Sequence, residues 1–425
     1  MSAADPHGSS IWHVDRTARV RELVSGDPGM ERALVLVREN GRNCGAVAIE
    51  GTAAPESDPA VAAVPSAPRR GWREGAGATV PATVVICTTG RSDLLAASVK
   101  AVLAQDHRDY RVVVVDNAPT TGLARTALKG IDDERLTMVN ASRPGLSRAR
   151  NRGVLAATGE VVAFTDDDAI VDPHWLTALV DPFTASALVG ATTGIVLPLE
   201  LAHAPQRWFE SRGGFPKDFT PRVWAKGRIP DGVRGLGEAG EGGPLYPVAT
   251  ARVGAGVCMA LRRDVLMEVG PFDPSLGAGT PTRGGEDLDM FARVLAHGDV
   301  IVHTPDALVH HRHRVDHEGL DAQVRGNGSG MSALLTKAVL ARPSTALTLA
   351  SRAPAVAARL RPGSARVAGT DDDVPSGLTR SEVKGFLEGP VRYLRSRHAN
   401  RLRPRKRPSS GRAEGAPEGP GDGRG

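Results

Sequence analysis

Three apolar runs set the tightest limit on what this chain can fold into. The stretches "TVVICTTG" at 83–90, "RVVVVDNA" at 111–118 and "EVVAFTDDD" at 160–168 are nearly unbroken in β-branched and other apolar residues. A strand with one face in water alternates polar and apolar residues; an unbroken run marks a strand covered on both faces, as in the middle of a parallel sheet. Between these runs the period changes. Leu95, Val99, Val102 and Leu103 follow helical spacing behind a capping Ser92, Leu136–Asn140 reads as a short strand, and "GLSRARNRGVLAATG" reads as a helix ending at Gly159. Strand and helix therefore alternate, which predicts an α/β fold around a mostly parallel central sheet.

The last run ends in Asp166, Asp167 and Asp168. Three adjacent carboxylates repel one another, so a cation is expected among them. Open α/β sheets bind ligands at the carboxyl ends of their strands. The first run ends in "CTTGR" and the second in Asp116-Asn117, so polar groups from three strands can converge on one crevice. Neither a dinucleotide fingerprint nor a P-loop is present. A dehydrogenase and a P-loop ATPase are thereby disfavoured.

A second acidic cluster follows at "GGEDLDMF". Gly284 and Gly285 lead into a helix with Glu286, Asp287 and Asp289 in its first turn, and carboxylates favour that position on electrostatic grounds alone. The glycine-rich approach can also close over a substrate. Beyond it, "DVIVHTPDALVHHRHRVDHEG" carries five histidines. Imidazole joined to a strand-end carboxylate suits manganese or a similar ion, and periodicity leaves His310, His311 and His313 as alternatives. Trp208, Phe209, Phe215, Phe219 and Trp224 form either an acceptor wall or ordinary packing.

Six segments are expected. Residues 1–30 read as a poorly ordered N-terminus. Residues 31–51, with alternating runs about Asn40-Gly41, read as a small β-hairpin unit. The Ala/Pro-rich segment 52–78 reads as a linker, 79–320 as the main domain, 321–400 as a helical extension and 401–425 as a disordered basic tail. The 425 residues include 49 glycines and 31 prolines, so loops are extensive. From Val391 onward there are ten Lys/Arg against three Asp/Glu, and the remainder holds 43 against 45. The basic character belongs to the tail, which argues against nucleic acid as the main partner. Three scattered cysteines imply no disulfide framework. Lacking a signal pattern or a membrane-spanning apolar stretch, the chain is expected in the cytoplasm, with at most peripheral contact at the inner face of the membrane through 334–360.

Taken in order, "TVVICTTGR", "VVVVDNAP", "GLSRARNRG", "GEVVAFTDDDAIVDPHWL", "GGEDLDMF" and "HHRHR" resemble the family 2 glycosyltransferases of the GT-A fold. "TGIVLPLELAHAPQRWFESRGGF" and the N-terminal hairpin are similar to an actinobacterial branch of that family. The resemblance implies a metal-dependent, inverting transfer of a sugar from a nucleotide-sugar donor to a glycan, lipid-linked or small-molecule acceptor. It implies that Thr88, Asp116, Arg150, Asp166, Asp167 and Glu286 bind the nucleotide-sugar, that Asp168 and His311 hold a divalent metal (Mn2+ or Mg2+), and that Asp287 is the general base. "TTGR" stands where the family usually has Tyr-Asn. A sugar nucleotidyltransferase and a non-catalytic sugar-nucleotide-binding protein of the same fold are the competing readings; the first would want a richer phosphate loop than "CTTGRSD", and the second would have lost its carboxylates.

Overall fold

The computed structural model describes residues 8–50, 54–359 and 374–402. Four strands open the chain: β1 (Ser9–Asp15), β2 (Val20–Ser25), β3 (Arg32–Glu39) and β4 (Arg42–Glu50). They form a separate sheet in the order β2-β1-β3-β4, with β3 and β4 joined as the hairpin about Asn40-Gly41. The expectation of a poorly ordered segment at 1–30 is thus corrected from Ser9 onward, while residues 1–7 lie outside the described set. Strand β1 inserts between β2 and β3 and buries Ile11, Trp12 and Val14. Its pairing with β3 is parallel and long-range, so no turn signal marks it.

Residues 54–78 are not a free linker either. They contain a short helix, α1 (Pro59–Ala62), and bury Val61 and Val64 against Trp12, Val35 and Val37. Further on, the amides of Gly75 and Gly77 donate to the Asp181 carboxylate at 2.8 and 2.7 Å. Apolar contacts and charged hydrogen bonds tie the segment down at both ends.

The main domain alternates as expected: β5 (Ala82–Thr88), α2 (Leu95–Leu103), β6 (Tyr110–Asp116), α3 (Leu123–Ala127), β7 (Leu136–Asn140), α4 (Leu146–Ala156), β8 (Val161–Asp166), β9 (Ala169–Val171) and α5 (Trp175–Ala185). Then come β10 (Val189–Pro198), α6 (Ala204–Ser211), β11 (Arg222–Trp224), β12 (Glu238–Ala239), β13 (Met259–Arg262), α7 (Arg263–Val269), α8 (Glu286–His297) and β14 (Val300–His311). The sheet runs β12-β11-β14-β10-β13-β8-β5-β6-β7, with β9 paired to β14. It is wholly parallel through β8-β5-β6-β7 and mixed beyond, because β13 runs antiparallel to both β8 and β10.

Alternate residues of the central strands serve opposite layers. Val84, Ile86, Val112 and Val114 pack with α2, α3 and α5, whereas Val85, Val113, Val115 and Phe164 pack with α4, α7 and α8. Covering both faces is why these strands read as unbroken apolar runs. Three helices close the described chain: α9 (His317–Ala341), α10 (Thr345–Arg359) and α11 (Gly377–Leu402). Helices α9 and α11 approach closely where Gly328 faces the Glu382 carbonyl; a Cβ at Gly328 would lie 2.1 Å from that oxygen. The expected basic tail falls almost entirely on 403–425, outside the described residues.

Two clamps join the small sheet to the large one. Arg70 Nε and Nη2 donate to Asp306 at 2.6 and 2.7 Å, and the Asn43 amide N–H shares the same carboxylate at 3.1 Å. Arg38 Nη2 donates to Asp172, just past β9, at 2.6 Å.

Candidate active site

Register aligns the strand ends. Thr88 on β5 lies beside Asp116 on β6, and Cys87 beside Asp166 on β8, so three parallel strands present polar residues along one edge. Thr88 Oγ1 donates to the Asp167 carboxylate and accepts from the Gly90 amide at 2.8 Å. Ser92 does not sit on the helix as a simple cap; its hydroxyl donates to the Asp167 carbonyl at 2.8 Å and pins the acidic turn. Asp116 is buried and accepts from the Ala118 amide at 2.9 Å.

Strand geometry sends the three histidines to different partners. Strand β14 pairs antiparallel with β9, which starts straight after the triplet, and His311 lies opposite Ala169. The Arg312 amide also donates to the Asp168 carbonyl at 3.0 Å. His311 Nε2 is thereby brought to 3.2 Å from Asp168 Oδ1. Adjacent residues of a strand point to opposite faces. His310 accordingly turns away and meets His13 of β1, Nε2 to Nε2 at 2.9 Å. His313 turns to Glu210, 2.8 Å away, which Lys217 also engages at 2.6 Å.

Asp166, Asp168 and His311 can each offer one ligand atom, and these atoms lie within 4.8 Å of one another. Two hard carboxylate oxygens and one imidazole nitrogen suit Mn2+ or Mg2+, with manganese favoured by the nitrogen. Their electrostatics also fit a cation. Burial pushes the Asp166 carboxyl up, Asp168 adds to this, and Arg150 opposes it. Burial, then repulsion from Asp168 and Asp166, raises Asp167 to about 6 despite the Thr88 hydrogen bond. Burial disfavours the charged forms of both Asp168 and His311, yet their mutual attraction holds the Asp168 carboxyl down and the His311 imidazole up.

Arg150 lies between the two acidic clusters. Its side chain is 3% exposed, 3.0 Å from Glu286 and 3.7 Å from Asp166, and its Nη2 donates to the Gly256 carbonyl at 3.2 Å. The guanidinium also lies over Phe164 and Phe272. It is an internal brace between the two acidic clusters, and Glu286 is turned inward to meet it. Burial and the neighbouring Asp287 raise Glu286 to about 7, with Arg150 opposing.

Asp287 is partly exposed at the start of α8 and joins the same site through Gly256. The Gly256 amide donates to its Oδ2 at 2.9 Å and the Leu288 amide to its Oδ1 at 2.8 Å. Its placement depends on Gly285, whose φ of +91° brings the chain within reach of α9; a Cβ there would lie 2.6 Å from the Gly330 carbonyl.

Among the aromatic residues, Phe215 lies 5.3 Å from the His311 ring and 5.4 Å from Phe209. Trp224 and Phe219 are packing residues, against Tyr246 and against Leu36 and Leu308 respectively. No local pattern marks His13, Glu210, Lys217 or Gly256, because each contributes through a partner distant along the chain.

The family model for glycosyl transferase family 2 matches residues 83–233. That match holds Thr88, Asp116, Arg150 and Asp166 to Asp168, while Glu286, Asp287 and His311 lie beyond it. The chain is 30% identical over 241 residues to the succinoglycan biosynthesis protein ExoM of Rhizobium meliloti, covering 55% of this chain and 67% of that one. It is 29% identical over 236 residues to a glucosyl-dolichyl phosphate glucuronosyltransferase of Haloferax volcanii, covering 54% and 68%. Among solved structures, a mannosyltransferase from Pyrobaculum calidifontis in complex with GDP-Man and Mn2+ gives a TM-score of 0.46 at 19% identity, over 75% of this chain and 90% of that one.

Proposed function

This chain belongs to the family 2 glycosyltransferases, and from that premise we propose that it transfers a sugar from a nucleotide-sugar donor to an acceptor hydroxyl with inversion at the anomeric carbon. The observation that carries the reading is the convergence of Asp166, Asp168 and His311 with Asp287, the two groups linked through Arg150 and Gly256.

Asp166, Asp168 and His311 would hold the divalent metal. Such an ion supplies Lewis-acid stabilisation of the departing diphosphate. The chain's own groups do the rest. Thr88, Asp116, Asp166 and Asp167 line the strand ends where the nucleoside would lie, Asp166 toward the ribose. Arg150 is a positioning residue: it sets the spacing between Asp166 and Glu286 and holds the loop at Gly256. Asp287, fixed by the Gly256 and Leu288 amides, takes the proton of the acceptor hydroxyl as that oxygen attacks the sugar carbon. General-base help of this kind is worth roughly 10²–10⁴-fold in rate. One displacement opposite the leaving group inverts the carbon and needs no covalent intermediate on the enzyme.

Two relatives support a particular acceptor class. One is named for action on glucosyl-dolichyl phosphate and the other for succinoglycan biosynthesis, which favours a lipid-linked or glycan acceptor over a small molecule. Phe215, beside His311, is the aromatic surface offered to it.

The test is a panel of nucleotide sugars with Mn2+, scoring nucleoside diphosphate release for wild type, Asp168→Asn, His311→Gln and Asp287→Asn. We expect Asp287→Asn to lose at least about 100-fold in acceptor-dependent turnover while still binding donor. Asp168→Asn and His311→Gln should weaken metal-dependent donor binding. Full turnover in Asp287→Asn and Asp168→Asn would refute the assignment, and release of pyrophosphate from a nucleoside triphosphate and a sugar 1-phosphate, with no nucleoside diphosphate released from any nucleotide sugar, would show a nucleotidyltransferase.

A further inference from the structure

Helix α11 carries an outer surface that the site does not use. Its inner side is firmly seated: Leu378, Gly385, Gly389, Tyr393 and Ser396 are buried, Tyr393 Oη reaches Asp273 at 3.3 Å, and Asn400 Nδ2 donates to Ser275 at 3.0 Å. On the opposite side Val383, Leu387, Val391 and Leu394 recur at helical spacing and are 40%, 73%, 51% and 50% exposed. Side chains three and four apart share a helix face, so these form one stripe. Arg380, Lys384, Arg395 and Arg401 are exposed along the same stripe.

Charge is sorted across the helix. Its two carboxylates are held off the stripe, Glu382 by Arg212 at 2.9 Å and Glu388 by Arg325 and Arg392. What remains outward is apolar surface and cations. The sequence past Leu402 continues the charge with Arg403, Arg405, Lys406 and Arg407.

We propose that the outer face of α11 docks on an anionic lipid surface. Helices of this composition lie in the plane of the interface, with apolar side chains at the boundary between headgroups and acyl chains and cations among the phosphates. A second copy is a poor occupant, because two such faces would oppose cations to cations with no carboxylate between them. Among the described residues no helix is long and apolar enough to cross a membrane, so α11 would lie on the surface. Docking would hold the 273–281 segment, which α11 grips on its inner side and which leads to Asp287, one helix diameter, roughly 10 Å, from the lipid. Only that last consequence rests on the glycosyltransferase reading.

The experiment is flotation of the full chain with vesicles of phosphatidylglycerol and phosphatidylcholine, against phosphatidylcholine alone, with no donor present. Wild type should float with anionic vesicles and be released by salt. Each cation removed should lower partitioning about five-fold, so Arg380→Gln/Lys384→Gln/Arg395→Gln/Arg401→Gln should lose several hundred-fold. Leu387→Gln/Val391→Gln/Leu394→Gln should lose at least about ten-fold. Unchanged Tm in both variants, and unchanged donor turnover with a water-soluble acceptor, would show that only docking was removed. Absence of wild-type flotation overturns the proposal. So does wild-type flotation of both variants, which assigns binding to 403–425, or a fall from dimer to monomer by light scattering in the apolar variant, which assigns the face to a second copy. Loss of turnover in the Asp168 and Asp287 variants would leave flotation untouched, so the two readings fail separately.

Discussion

Replacing Arg150 with methionine tests the brace between the acidic clusters. The change keeps much of the stem that packs on Phe164 and Phe272 but removes a 3%-exposed cation from Glu286 at 3.0 Å and Asp166 at 3.7 Å. Deleting one partner of a buried ion pair costs about 3–5 kcal/mol, because the other charge is left without compensation. At about 2–4 °C per kcal/mol, Tm should fall by about 6–20 °C. The loss should depend on pH. Glu286 is already raised to about 7, by burial first and by Asp287 next, with Arg150 the opposing influence. A carboxyl raised in the folded state keeps its proton where the unfolded chain has released it, so stability falls as pH rises through that window. Without Arg150 the carboxyl rises further. The deficit of the variant should therefore be smallest near pH 5 and widen toward about pH 8. Adding Glu286→Gln removes the stranded charge and should restore more than half of the loss. Denaturant and thermal unfolding of the four proteins of this cycle, each across pH, supply the measurement. A deficit independent of pH, or one that Glu286→Gln deepens, would refute the account.

Two further outcomes are expected. Burial above all, then Arg38 and His310, lowers His13 to about 2. The unfolded chain takes up that proton near pH 6.5 and the folded chain does not, so stability is lost as pH falls below 6.5, by up to about 1.4 kcal/mol per unit; His13→Phe should flatten the acid limb of an unfolding titration by about one proton. Gly285→Ala should destabilise by about 1–3 kcal/mol and displace Asp287, since it combines a φ of +91° with a Cβ 2.6 Å from the Gly330 carbonyl. The readout is a fall in kcat larger than any change in donor KM, alongside a lower Tm; an Ala variant with wild-type kcat would show that the turn does not set the carboxylate.

What could be read in advance follows from how local each signal is. Strands β5, β6 and β8 announce themselves because burial on both faces writes an unbroken apolar run, and the register that aligns Thr88, Asp116 and Asp166 follows from their common direction. The hairpin of β3 and β4 is equally local. Strand β1 carries a weak signal because its pairing with β3 is parallel and long-range and its adjacent apolar residues Ile11 and Trp12, where the register with β2 shifts, break simple alternation. The choice among His310, His311 and His313 was closed to sequence, since it depends on which face of β14 looks toward β9. Arg150 carries a signal with two sources: a basic residue near a candidate diphosphate site is also what two buried carboxylates require.

The clamps at Asp306 and Asp172 have a consequence for how the molecule comes apart. Peeling the first sheet from the second would strand both carboxylates, already 13% and 11% exposed, along with the amide of Asn43 and one imidazole of the His13–His310 couple. The seam should thus melt in step with the rest, as a single cooperative transition, and a protease should find no early cut between residues 54 and 82.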